Sequence, residues 1–176
     1  MRQLLAPITI ALLLVCSVSK AELQDGQPFP DDFSPPIIGG EDLNLSDYDG
    51  KIIVVAFWAT WCRPCLEEFP YLMSIQRQAT NEHVQVIAVT WNESRRKARR
   101  AIGNLPDTGF VFAIDRKGRH GESLGVGAIP HTIVIGADGI VKYQSIGFSE
   151  TSVESLIEAI NVELSAKQQS DGQVEN

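Results

Sequence analysis

The chain has 176 residues, 15 of them lysine or arginine and 22 aspartate or glutamate, for a formal charge of −7. That length suits one domain able to bury an adequate core unaided. The acidic balance argues against a nucleic-acid partner, whose phosphates demand cationic neutralisation. The chain opens with Arg2 and the apolar stretch "LLAPITIALLLVCSVS", ending at Ser19-Lys20-Ala21. A charged residue, an apolar core and a small-x-small site predict a secretory signal over residues 1–21, cleaved after Ala21. The stretch is short for a membrane-spanning helix, which needs about 20 apolar residues, and a retained anchor is the alternative. Cys16 invites a lipoprotein reading, which Val15 weakens by standing where a small residue is expected. Residues 22 to about 28 read as a polar leader before a domain over 29–165.

Asp49-Gly50 marks a turn, and "IIVVAFWA" then runs apolar for eight residues, which predicts a buried strand. From Arg63, the spacing of Leu66, Phe69 and Met73 predicts a helix to about Ala79, with Pro70 kinking it. "VQVIAVT" (84–90) reads as a second strand, 93–103 as a helix and "FVFAI" (110–114) as a third strand. In "HTIVIGADGIVKYQSIG" the Asp138-Gly139 turn predicts a hairpin. Thr151 and Glu154 fit a capping box ahead of a last helix with Val153, Leu156, Ile157, Ile160 and Leu164 on its apolar face. Residues 166–176 are polar without periodicity and read as a disordered tail. Strands alternating with helices before a closing hairpin predict an α/β sandwich with a mixed sheet.

Loss of the signal would leave Cys62 and Cys65 as the only cysteines and take the charge to −9. Export would put them where disulfides persist. As a staple they are poor, because the stabilisation from a crosslink grows with the loop it closes. As half of a zinc site they lack partners, since His83, His120 and His131 are scattered over different elements. A redox pair fits best. Cys62 stands where strand becomes helix, and a helix N-terminus stabilises a thiolate. Two intervening residues let both sulfurs meet within one turn. Cys62, outermost, is expected to be the exposed nucleophile and Cys65 its buried partner, with Pro64 setting the opening turn. Arg63 either assists the thiolate or is simply solvated.

The segments "GKIIVVAFWATWCRPCLEEFP" (50–70) and "VGAIPHTIVIGADGIV" (126–141) resemble the thioredoxin superfamily. More specifically, they resemble the exported TlpA, ResA and cytochrome c-maturation thiol-disulfide oxidoreductases. The resemblance implies a three-layer thioredoxin-like sandwich with an inserted helix-and-strand unit near 91–105. It makes Pro130 a cis proline facing the cysteines, with the backbone of Ile129 pairing with substrate and Trp61 flanking the site. Thioredoxin keeps an acid six residues before its first cysteine, where this chain has Ala56. The exported group carries instead a glutamate three after its second cysteine, here Glu68. Three residues is about one helical turn, so Glu68 can share the side of Cys65, while Glu67 points elsewhere.

These features predict an exported thiol-disulfide oxidoreductase, bacterial and periplasmic by resemblance, that reduces other exported proteins, as in cytochrome c maturation. It would need no cofactor beyond the Cys62–Cys65 disulfide and would draw electrons from a membrane-embedded thiol donor. The rival reading is a copper metallochaperone or redox sensor using the same pair. The run "ESRRKARR" (93–100) reads either as a solvated helix face or as a docking surface for an acidic partner or anionic lipid.

Overall fold

The structure, a computed structural model, describes residues 22–174. The expected signal over 1–21 lies outside the described residues. Strand β1 (Ile52–Trp58) is followed by helix α1 (Arg63–His83), β2 (Val84–Trp91), α2 (Arg95–Ile102) and β3 (Val111–Asp115). The short α3 (Arg119–Ser123) then leads to the hairpin β4 (His131–Ile135) and β5 (Val141–Ile146), and α4 (Glu150–Val174) closes the chain. The sheet order is β3-β2-β1-β4-β5, with β1, β2 and β3 mutually parallel and the hairpin antiparallel. This is the mixed-sheet, thioredoxin-like sandwich expected, with α2 as the crossover to edge strand β3 in the place of the inserted unit.

The unbroken apolar run of β1 has a direct cause: side chains alternate, and both faces of the sheet are covered. Ile52, Val54, Ala56 and Trp58 pack with Cys65, Phe69, Leu72 and Ile75 of α1 and with Leu156 and Ile160 of α4. Ile53, Val55 and Phe57 pack on the other side with Leu124, Val126 and the N-terminal residues Phe29, Phe33 and Leu43. One face is thus closed by helices, the other largely by the chain ahead of β1. Residues 22–28, expected to be a leader, are part of the fold. Gly26 N–H donates to Val141 O (2.7 Å), Val141 N–H to Gln27 O (2.9 Å) and Phe29 N–H to Gly139 O (2.9 Å), binding them to the hairpin.

The buried stripe of α1 runs through Cys65, Phe69, Leu72 and Ile75, so of the expected Leu66–Phe69–Met73 face Phe69 is buried, Leu66 is exposed and Met73 is half-buried. The break in α1 falls at Thr80 (φ 58°, ψ 161°), the only position in the helix with non-helical backbone, and Pro70 lies within regular helix. Two corrections concern α4. Its cap is Ser149 with Ser152, each side chain bonding the other's amide (2.9 and 3.0 Å), two residues ahead of the expected Thr151–Glu154 box. The tail expected to be disordered from 166 continues the helix to Val174. Ala166, Lys167, Gln168 and Gln169 are all good helix formers, and Lys167 reaches Gly50 O at 2.6 Å.

Candidate active site

Between β1 and α1 the chain turns through Ala59, Thr60 and Trp61, and Cys62 becomes the N-cap of α1. Its Sγ accepts the Cys65 N–H (3.3 Å), satisfying one of the free amides of the first turn. Pro64 fits that turn because the N–H it lacks would have no helical partner there. Cys62 and Cys65 are joined as a disulfide. Cys65 is fully buried and Cys62 is 4 % exposed, so Cys62 is the more accessible sulfur residue without being the exposed one expected. As N-cap its side chain folds back over the helix end, and the bond to Cys65 holds it there. Trp61 beside it is 62 % exposed.

Just ahead of β4 the Ile129–Pro130 bond is cis, and the Pro130 carbonyl accepts the Gly147 N–H at 2.8 Å. Ile129 packs half-buried against the cores on both faces of the sheet. Two residues on, Thr132 pairs across the sheet with Ala56, and its Oγ1 donates to Glu68 Oε1 at 2.9 Å. Glu68 is only 4 % exposed. Burial pushes its carboxyl up to about 7, while the Thr132 hydrogen bond pulls in the opposite direction. Ala56 offers no carboxyl to this part of the core, and the helix supplies one through Glu68. Glu67 behaves otherwise. It is exposed and pairs with Arg63 Nε at 3.0 Å, which turns Arg63 along the helix surface as a solvated ion pair.

Two residues at the site escaped sequence reasoning: Thr132, which has no signal in the sequence, and Glu93. Glu93, buried, accepts the Thr60 N–H at Oε2 (2.8 Å) and the Thr60 hydroxyl at Oε1, tying the β2–α2 connection to the turn that presents Cys62. The one available signal was an acid beside the helix N-cap Ser94, which reads equally well as a surface charge. His131, next to Pro130, is also buried; burial lowers its pKa, and its Nε2 lies 3.4 Å from Gln144 Oε1. Among the described residues no group of three or more His, Cys, Asp or Glu could hold a metal ion.

A CxxC disulfide at a strand-to-helix junction, on a thioredoxin-like sheet, defines a protein-disulfide oxidoreductase of the thioredoxin type. The chain belongs to the Redoxin family, whose model matches residues 24–160. It is 30 % identical over 158 residues to the thiol-disulfide oxidoreductase ResA of Geobacillus kaustophilus, covering 89 % of this chain and 90 % of that one. It is 32 % identical over 133 residues to the thioredoxin-like protein YneN of Bacillus subtilis, covering 74 % and 76 %. A solved structure, the candidate thiol:disulfide interchange protein DsbE of Chlorobium tepidum, matches with a TM-score of 0.74 at 31 % identity, over 81 % of this chain and 99 % of that one.

Proposed function

We propose that this oxidoreductase is exported, is periplasmic, and reduces disulfides in other exported proteins, as in cytochrome c maturation. The observation that carries the proposal is Glu68, a buried carboxyl one turn beyond Cys65 whose pKa stands at about 7. The Cys62 thiolate attacks one sulfur of the substrate disulfide, forming a mixed disulfide and releasing the other sulfur as a thiolate that takes up a proton. Glu68 takes the proton of the Cys65 thiol, and the resulting thiolate attacks Cys62 Sγ. The second substrate thiol leaves with two electrons transferred, and the Cys62–Cys65 disulfide remains. A group titrating near neutral pH is suited to moving that proton in either direction. Pro130 and the Ile129 backbone shape the substrate groove, with Trp61 at its rim. The disulfide is the only redox group required. A thiol donor in the membrane restores the dithiol, since an oxidising compartment would not. Among the described residues no helix is long and apolar enough to cross a membrane.

Adduct trapping tests the assignment. Cys65→Ser should accumulate mixed disulfides with substrate, because the attacking thiol survives and the resolving one is gone, whereas Cys62→Ser should form none. Mass spectrometry of the adducts reads the result, and the reverse pattern would exchange the two roles. The direction of the reaction is read from the redox state in cells. The pair should be largely reduced and should become oxidised when its electron donor is lost; full oxidation in healthy cells would make the protein an oxidant.

A further inference from the structure

Cations are unevenly distributed in this acidic chain. Residues 95–119 hold Arg95, Arg96, Lys97, Arg99, Arg100, Arg116, Lys117 and Arg119 against only Asp107 and Asp115, a local balance of +6 in a molecule of −7. All eight cations are exposed, and none has a carboxylate within ion-pair distance among the described residues. The two acids are engaged with backbone: Asp115, buried, accepts the Gly121 N–H (2.8 Å), and Asp107 accepts the Gly109 N–H (3.2 Å). The apolar side of α2 faces the core, with Ala98 buried and Ala101 and Ile102 half-buried, so the helix presents mainly charge to solvent.

Seven of these cations, all but Arg99, line two clefts, one on each side of the start of α2 at Arg95 and Arg96. Arg96, Lys97 and Arg100 share one with Thr60, two residues ahead of Cys62 on the turn that presents the disulfide. Arg95 shares the other with Arg116, Lys117 and Arg119. A band of unpaired positive charge therefore runs from the β3–α3 connection across α2 to the edge of the active site. Unneutralised charge of one sign beside a reacting group raises the local concentration of oppositely charged substrate.

We propose that this band docks an acidic polypeptide segment flanking the disulfide on which Cys62 acts. The proposal rests on the thiol-disulfide exchange proposed above and names its substrate class. A lipid surface fits less well. Interfacial helices bind by burying an apolar face, and α2 has none to offer. A membrane lying on this band would also crowd the Thr60 side of the site, which a protein disulfide must approach.

Two disulfide-bonded peptides, identical except for acidic or neutral flanks, test this with the full chain. The acidic peptide should be reduced with a kcat/KM about 10-fold or more above the neutral one at low ionic strength. The advantage should shrink as salt shortens the Debye length from about 30 Å at 0.01 M toward 3 Å at 1 M. The triple variant Arg96→Gln, Lys97→Gln, Arg100→Gln should lose it. Equal rates for the two peptides, or an advantage indifferent to salt, would overturn the docking proposal alone. Reduction of neither peptide would overturn the exchange reading and the docking with it. Cosedimentation with phosphatidylglycerol vesicles, without any preference between the peptides, would assign the band to lipid instead.

Discussion

Glu68 holds its proton for a reason that one neighbour modulates. Burial favours the neutral carboxyl, and the Thr132 hydroxyl, donating at 2.9 Å, partly restores the charged form. Glu68→Gln should therefore leave the fold intact, alter the thiol titration and slow exchange most above pH 7, where the wild-type group is ionised. Glu67→Gln, on an exposed ion pair, should change little. Equal, small effects of the two substitutions on exchange rate would reduce Glu68 to a bystander. Thr132→Val removes the bond that lowers the Glu68 pKa, so the pH profile of exchange should move to higher pH; a profile that stayed in place would show that the hydroxyl does not act on the carboxyl. Glu68 itself was legible, because its spacing from Cys65 is a local property. Thr132 was not, since the contact joins residues 64 apart in sequence and exists only once β4 lies beside β1. The accessibility of Cys62 was misjudged for a related reason: a residue that opens a helix looks exposed until its side chain is seen capping the turn it begins.

The turn between β1 and α1 depends on an element distant from it in sequence. Both oxygens of Glu93 are occupied by Thr60, so the start of α2 and the cysteine turn move as one unit. Thr60→Val removes the hydroxyl, and Glu93→Gln the charge. Each should lower stability by about 1–3 kcal/mol, the usual cost of leaving a buried hydrogen-bonding partner unsatisfied. At roughly 2–4 °C per kcal/mol for a chain of this size, thermal unfolding resolves that loss. The double variant should lose less than the sum of the two, because both substitutions break the same contact; strict additivity would mean that the two residues do not work together. Runs such as "IIVVAFW" announce a strand by length and branching. The α4 start was placed two residues late because Thr151–Glu154 satisfies the same spacing rule as the true Ser149–Ser152 pair, and only the backbone path decides between them. Residues 22–28 look like a leader because backbone bonds to the hairpin hold them, and no side-chain periodicity betrays that.

For the whole molecule, two buried titrating groups on opposite faces of the sheet pull the pH dependence of stability in opposite directions. Thr132 turns toward Glu68 and α1, while the adjacent His131 packs its ring against Phe57 at 6.4 Å on the other side. In the unfolded chain Glu68 ionises near 4.5, whereas in the folded protein it keeps its proton to about 7. The folded state then binds more protons between these values, so this group's contribution is fully present below 4.5 and is lost as pH rises through 7. A shift of that size corresponds to about 3 kcal/mol. His131 has the opposite sign. Its folded pKa lies below 6.5, mainly through burial, so its contribution is present above 6.5 and is lost as pH falls toward the lower folded value. The two slopes oppose one another in the mildly acidic range and flatten the wild-type curve. Urea unfolding of the oxidised protein from pH 4.5 to 8 separates them. Relative to wild type, Glu68→Gln should gain stability as pH rises from 4.5 to about 7 and level off above it, and His131→Gln should gain it as pH falls below 6.5. A Glu68→Gln difference that stayed constant with pH would mean that the carboxyl is already ionised in the folded protein, and the proton-transfer role proposed for it would fail with that result.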